Sequence, residues 1–275
     1  MNKHKQLFRE YFIRRIKAIG RKLSDDELED LTAECSESWE DEPCEGYGGK
    51  TPREYFAEIK DARRLAEIFA EDAAEGEPLA VIADALSALP GASAALCALL
   101  EDEYANVRAR AEAADLLLRM DAAPVESLTE LALAGDTPEE LRERAIEALA
   151  CSDGEAVYEA AAQRAADAEG MSALIAGELL VGSGVRSDRV TELLLRLTED
   201  RETLPRALQL IAAYGDESVL PRLKKLAESC DYATYTDIRS AVESLGGELD
   251  EKRDWTGDAT YDAIMSDGRR RREGK

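Results

Sequence analysis

LCALLEDEYANVRARAEAADLLLRMDA, residues 96–122, and LTELALAGDTPEELRERAIEALACSDG, residues 128–154, read as one helical hairpin written twice. In each, apolar residues at helical spacing run into a polar turn. An acid of that turn stands six residues before an arginine, Asp102 before Arg108 and Asp136 before Arg142, and an alanine-rich helix follows. Apolar positions three and four apart give a helix one buried face. The two arginines are 34 residues apart, and self-similarity at such a distance marks stacked helix pairs, each covering the apolar face of the next.

Other segments carry the same pattern. LAVIADALSALPG (79–91) and ASAALCALLEDEY (92–104) lead into the first copy, and GELLVGSG (177–184), LQLIAAYGD (208–216) and IRSAVESLGG (238–247) follow the second. Equating Leu149, Leu180, Ile211 and Leu245 gives steps of 31, 31 and 34 residues. The acid-to-arginine spacing recurs at Asp200 and Arg206, whereas the sixth residue after Asp167 is Ala173. Thr137-Pro138-Glu139-Glu140 and Asp216-Glu217 supply helix starts, Pro205 and Pro221 lie near others, and Gly135, Gly170, Gly182, Gly184 and Gly215 are expected as stops.

VRARAEAA and LRERAIEAL resemble the second-helix signature of HEAT-like repeats of the PBS-lyase type, V-R-x-x-A-x-x-A-L followed by a Gly or Asp turn. The resemblance spans roughly 77–247, and GGKTPREYF is similar to a segment of uncharacterised bacterial HEAT-like proteins. It implies an all-α fold, a right-handed α-α superhelix of about five to six hairpins with an N-terminal helical cap. The expected parts are a cap over 1–76 continuous with the array, repeats over 77–247, and a capping segment with a basic tail over 248–275. The resemblance also implies a structural ladder, in which the turn acids Asp102, Asp136 and Asp200 cap second helices and accept hydrogen bonds from Arg108, Arg142 and Arg206.

Composition agrees with close-packed helices: 45% of the 275 residues are hydrophobic but only 5% aromatic, so burial falls to Ala and Leu. The net charge of −24 is unevenly placed. Residues 1–22 hold eight Lys and Arg against Glu10 alone, and 269–275 hold five against Glu273, which leaves 22 basic and 57 acidic residues and a body near −35. Such a field favours basic partners and repels phosphate backbones. It also keeps a protein soluble with no partner at all.

At the N-terminus, KHKQLFREYFIRRIKAI (3–19) aligns Phe8, Phe12, Ile16 and Ile19 in one stripe among Arg9, Arg14, Arg15 and Lys17. A basic amphipathic helix of this kind suits an anionic membrane, an RNA, or the exposed end of a helical stack; the last is the favoured reading. Ser24 with Glu27, and Thr51-Pro52 with Glu54, are capping boxes. GYGGKT lacks phosphate-loop spacing and a preceding strand, so Trp39, Tyr47, Tyr55 and Phe56 are expected to pack together instead. Trp255, in the stretch 248–258, is expected to fold back over the last hairpin, ahead of a short helix near 259–265 and a disordered tail at Arg269 to Arg272.

Catalytic chemistry finds little to stand on. His4 is the sole histidine, so histidine triads and zinc sites of the usual kind are not expected. Cys35, Cys44, Cys97, Cys151 and Cys230 are odd in number and have no CxxC spacing, which argues against a disulfide framework or a zinc ribbon. No catalytic residue, cofactor or metal is assigned. No 18-residue apolar run occurs, so no membrane span is expected and the cytoplasm is the default location.

The function that fits is a non-catalytic protein-interaction scaffold, with Glu112, Asp115, Glu143, Glu147, Glu178 and Glu243 on second helices offered to a basic segment of another protein. Two alternatives follow from the resemblance. HEAT-like DNA glycosylases are disfavoured because their concave surface is basic, and bilin-lyase subunits share a packing pattern that does not transfer activity.

Overall fold

The computed structural model describes residues 2–249 and 253–273, with side chains described up to residue 266. Sixteen α-helices and no strand are found among the described residues. The chain forms two compact units, Met1–Ser152 and Asp153–Lys275.

The first unit contains α1 (Lys3–Ile19), α2 (Asp25–Trp39), α3 (Pro52–Ala57), α4 (Ala62–Ala73), α5 (Ala80–Ser87), α6 (Ala92–Glu101), α7 (Val107–Arg119), α8 (Val125–Leu133) and α9 (Glu139–Ala150). The two written-alike stretches are the pairs α6–α7 and α8–α9, and α7 lies against α9 as well as against α4. Alanine makes this packing close. Ala109, Ala113 and Ala114 of α7 and Ala145 and Ala148 of α9 are buried between leucines, among them Leu117, Leu141 and Leu149. Their small side chains let helix axes approach toward the ~8 Å end of the usual range.

The second unit contains α10 (Gly154–Ala165), α11 (Gly170–Gly182), α12 (Asp188–Leu197), α13 (Leu204–Tyr214), α14 (Leu220–Ala227), α15 (Tyr232–Ser244) and α16 (Ala259–Glu273). Here α10 packs on α11, α12 on α13 and α14 on α15, while α11, α13 and α15 also pack in succession. Gly177 marks the close approach in α11: a Cβ there would sit 3.3 Å from both Leu197 and Leu210. Gly170, expected as a stop, instead opens α11 with φ +53°, a left-handed conformation suited to glycine. Gly215 does end a helix, as the left-handed cap of α13.

The expected caps form. Ser24 accepts from Glu27 N while Glu27 accepts from Ser24 N, and Thr51 and Glu54 do the same ahead of α3. Trp255 packs on Tyr232 and Tyr235 of α15. The helix expected near 259–265 is longer, running to Glu273, so the backbone expected to be disordered at Arg269 to Arg272 is helical; their side chains lie outside the described residues.

Helix α1 corrects the reading of its stripe. His4 and Tyr11 are its buried residues, Phe8, Phe12 and Ile16 are half-buried, and Ile19 is exposed. Polar anchoring decides the rotation. His4 Nδ1 lies 2.9 Å from the Tyr47 hydroxyl, Tyr11 bonds Ser38 and Glu42, and Asn2 Nδ2 donates to Asp72 Oδ1 at 2.7 Å. The aromatic group foreseen from the sequence surrounds this anchor: Tyr47 stacks on Tyr55, Phe56 meets the His4 ring edge-on at 5.0 Å, and Trp39 meets Phe8.

Candidate binding surface

The six acids expected to form a partner surface divide between the two units, four in the first and two in the second. The neighbouring helices α7 and α9 bring three of the four together. Asn106 starts α7 by accepting from Arg108 N and Ala109 N, and the Ala/Leu face turned to the core leaves Glu112 and Asp115 on the flank beside α9. Arg144 of α9 lies 3.4 Å from Asp115 and 2.8 Å from Glu147. Glu143 is exposed one helical turn before Glu147.

Charge balance distinguishes this flank. Burial holds the Glu112 carboxyl above its ordinary range, the negative charges of Asp115 and Glu77 add to that, and Arg144 and Arg108 oppose it. Burial also raises Asp115, with Arg144 opposing and Glu147 reinforcing the shift. One guanidinium thus serves several carboxylates, two of them partly withdrawn from water. Added positive charge lowers the energy of such an arrangement.

The two acids of the second unit have cations of their own. Glu178 of α11 accepts from Arg206 Nε of α13 at 2.6 Å, and Glu243 accepts from Arg239 Nε at 2.6 Å within α15. They are bridges between or along helices.

The acid-to-arginine ladder does not form as expected. Asp102 accepts from Tyr104 N, Asp200 accepts from Glu202 N, and Asp136 is exposed. The caps ahead of α7 and α9 are Asn106 and Pro138, while Thr203, without a side-chain cap bond, precedes α13. Arg108 is exposed, Arg206 reaches Glu178 and Gln209, and Arg142 Nη2 donates to the carbonyls of Ala134, Gly135 and Thr137. Arg142 is turned back toward the end of α8 and away from Asp136, and Arg206 is held by Glu178 and Gln209 instead of Asp200.

What recurs instead is a guanidinium placed at the carbonyl end of a first helix. Arg110 donates to Leu100 O at the end of α6, Arg142 to Ala134 O at the end of α8, Arg196 to Ala165 O and Ala166 O at the end of α10, and Arg253 to Ala227 O at the end of α14. Helix C-termini carry unpaired carbonyls and partial negative charge, so each arginine satisfies both at once. Sequence spacing misses this because the donors lie at separations of 10, 8, 31 and 26 residues.

A second buried feature had no sequence signal. Asp72 is fully buried and bonds Asn2 Nδ2 and Leu79 N, so it caps α5 and ties down the N-terminus together. In EDAAEG it reads as one more solvent acid.

No protein family, characterised protein or solved structure matches the chain. Among the described residues no single helix is long and apolar enough to cross a membrane.

Proposed function

We propose that the chain is a HEAT-like helical repeat scaffold of five to six hairpins, a right-handed superhelix, which binds a basic segment of another protein without catalysing a reaction and does so in the cytoplasm. The reading is supported by helix pairs whose second members pack side by side, α7 on α9 in one unit and α11, α13 and α15 in the other. The observation that carries the binding role is the half-buried pair Glu112 and Asp115, both raised above the usual carboxylate range while Arg144 is shared with Glu147. The partner surface is narrower than the six acids expected from the sequence, because Glu178 and Glu243 already face Arg206 and Arg239. A nucleic-acid reading has less support, since a net charge of −24 opposes phosphate.

The test is binding of a labelled Arg/Lys-rich peptide at several salt concentrations. Glu112→Gln with Asp115→Asn and Glu147→Gln is expected to weaken it roughly tenfold, a loss of about 1.4 kcal/mol spread over three carboxylates. Salt should weaken the wild-type complex. Equal affinity of the triple variant, or recovery only of partners with no salt-sensitive basic surface, would remove the proposal.

A further inference from the structure

Helix α1 is docked by one face and open on another. Its buried residues are His4 and Tyr11, yet its apolar stripe lies to one side of them: Phe12 and Ile16 are half-buried, Ile13 is 37% exposed and Ile19 40% exposed. At about 100° per residue Ile13 stands nearly opposite Tyr11, and Ile16 and Phe12 fill the arc between Ile13 and Ile19. Arg9 falls inside that arc, and Lys17 borders it; both are exposed, as is Lys22 beyond the helix. Arg15 and Arg21 are engaged by Glu34 and Glu27.

We propose that this face of α1 docks the protein on an anionic lipid surface, with Ile13, Ile16 and Ile19 at the acyl boundary and Arg9, Lys17 and Lys22 among headgroup phosphates. Charge complementarity selects the occupant. Residues 1–22 carry eight cationic side chains against one acid, although the whole chain is at −24. At physiological salt, charges beyond about 8 Å are largely screened, so the local excess governs contact with a surface. The exposed side chains are aliphatic, which suits an acyl boundary, and Arg9 can lay its stem along them with its head in water. Single-stranded RNA calls for exposed rings on which bases stack; here Phe8 and Phe12 stack on each other and Phe8 meets Trp39. The docked face keeps its contacts to α2 and Tyr47 in this arrangement, so lipid binding needs no unfolding.

Flotation of the full-length protein with phosphatidylcholine vesicles, with and without phosphatidylserine, tests the assignment. Binding is expected only with phosphatidylserine, should fall as salt rises, and should drop roughly tenfold or more for Ile13→Asp with Ile19→Asp and for Arg9→Gln with Lys17→Gln. Unchanged melting would confirm that both variants fold, and Ile13→Ser alone gives a milder version if the aspartates disturb α1. No binding to phosphatidylserine vesicles, or binding that these substitutions leave intact, overturns the proposal. Retention of polyuridylate without vesicle binding would assign the face to RNA and overturn it equally.

Discussion

At Glu112 the half-buried carboxylate has a cost that can be read from pH. Its folded-state pKa is raised, first by burial and then by Asp115. Above the unfolded pKa of about 4.3 the folded chain therefore holds this proton more tightly than the unfolded chain, and stability falls as pH rises through that window up to the raised value. Glu112→Gln removes the charge and keeps the shape. It is expected to be more stable than wild type at pH 7.5, with the advantage shrinking as pH is lowered toward the ordinary carboxylate range. Urea midpoints at several pH values measure this, and a less stable variant at pH 7.5 would show that Glu112 has found a cation. Asp72, buried completely, accepts hydrogen bonds from Asn2 Nδ2 and Leu79 N. Burial alone does not make a carboxylate a site; unbalanced burial does.

Among the helices, arginines tie down the carbonyl ends of α6, α8 and α10. Arg142→Leu strips a guanidinium from three carbonyls around the end of α8, which should cost about 1–2 kcal/mol and lower the melting temperature by roughly 2–6 °C. Asp136→Asn should stay within about 0.5 kcal/mol of wild type, because that acid is exposed and Arg142 points elsewhere. Calorimetry of the two variants separates the alternatives: similar losses would restore the acid-to-arginine ladder. Ser24 with Glu27, Thr51 with Glu54 and the hairpins around 92–154 were legible in the sequence because local hydrogen bonds and helical periodicity act within a few residues. Arg196 at the end of α10 was not, since its acceptors lie about 30 positions away. Nor was the rotation of α1 legible: apolar periodicity favours Phe12 and Ile16 for burial, and long-range bonds from Asn2, His4 and Tyr11 outweigh it. Three of the candidate acids met through adjacency of α7 and α9, which the repeat predicts, whereas the cations opposite Glu178 and Glu243 came from the next helix pair and the same helix.

For the whole molecule, an excess of 24 negative charges sets two salt effects of opposite sign. Like-charge repulsion destabilises the compact chain and is screened by salt. The attractive pairs that salt would weaken, such as Arg64–Glu67, Arg201–Asp231 and Arg222–Glu199, are mostly solvent-exposed and add little. Repulsion is therefore expected to dominate, and the melting temperature should rise by several degrees from low to moderately high salt at neutral pH. Binding of a basic peptide, which depends on the same field, should weaken over that range. Measured together on one preparation, rising stability with falling affinity separates specific charge recognition from general destabilisation by salt. A melting temperature that falls with salt would instead mean that the arginine bridges and carbonyl caps outweigh the self-repulsion, and that the acidic surface is already balanced within the fold.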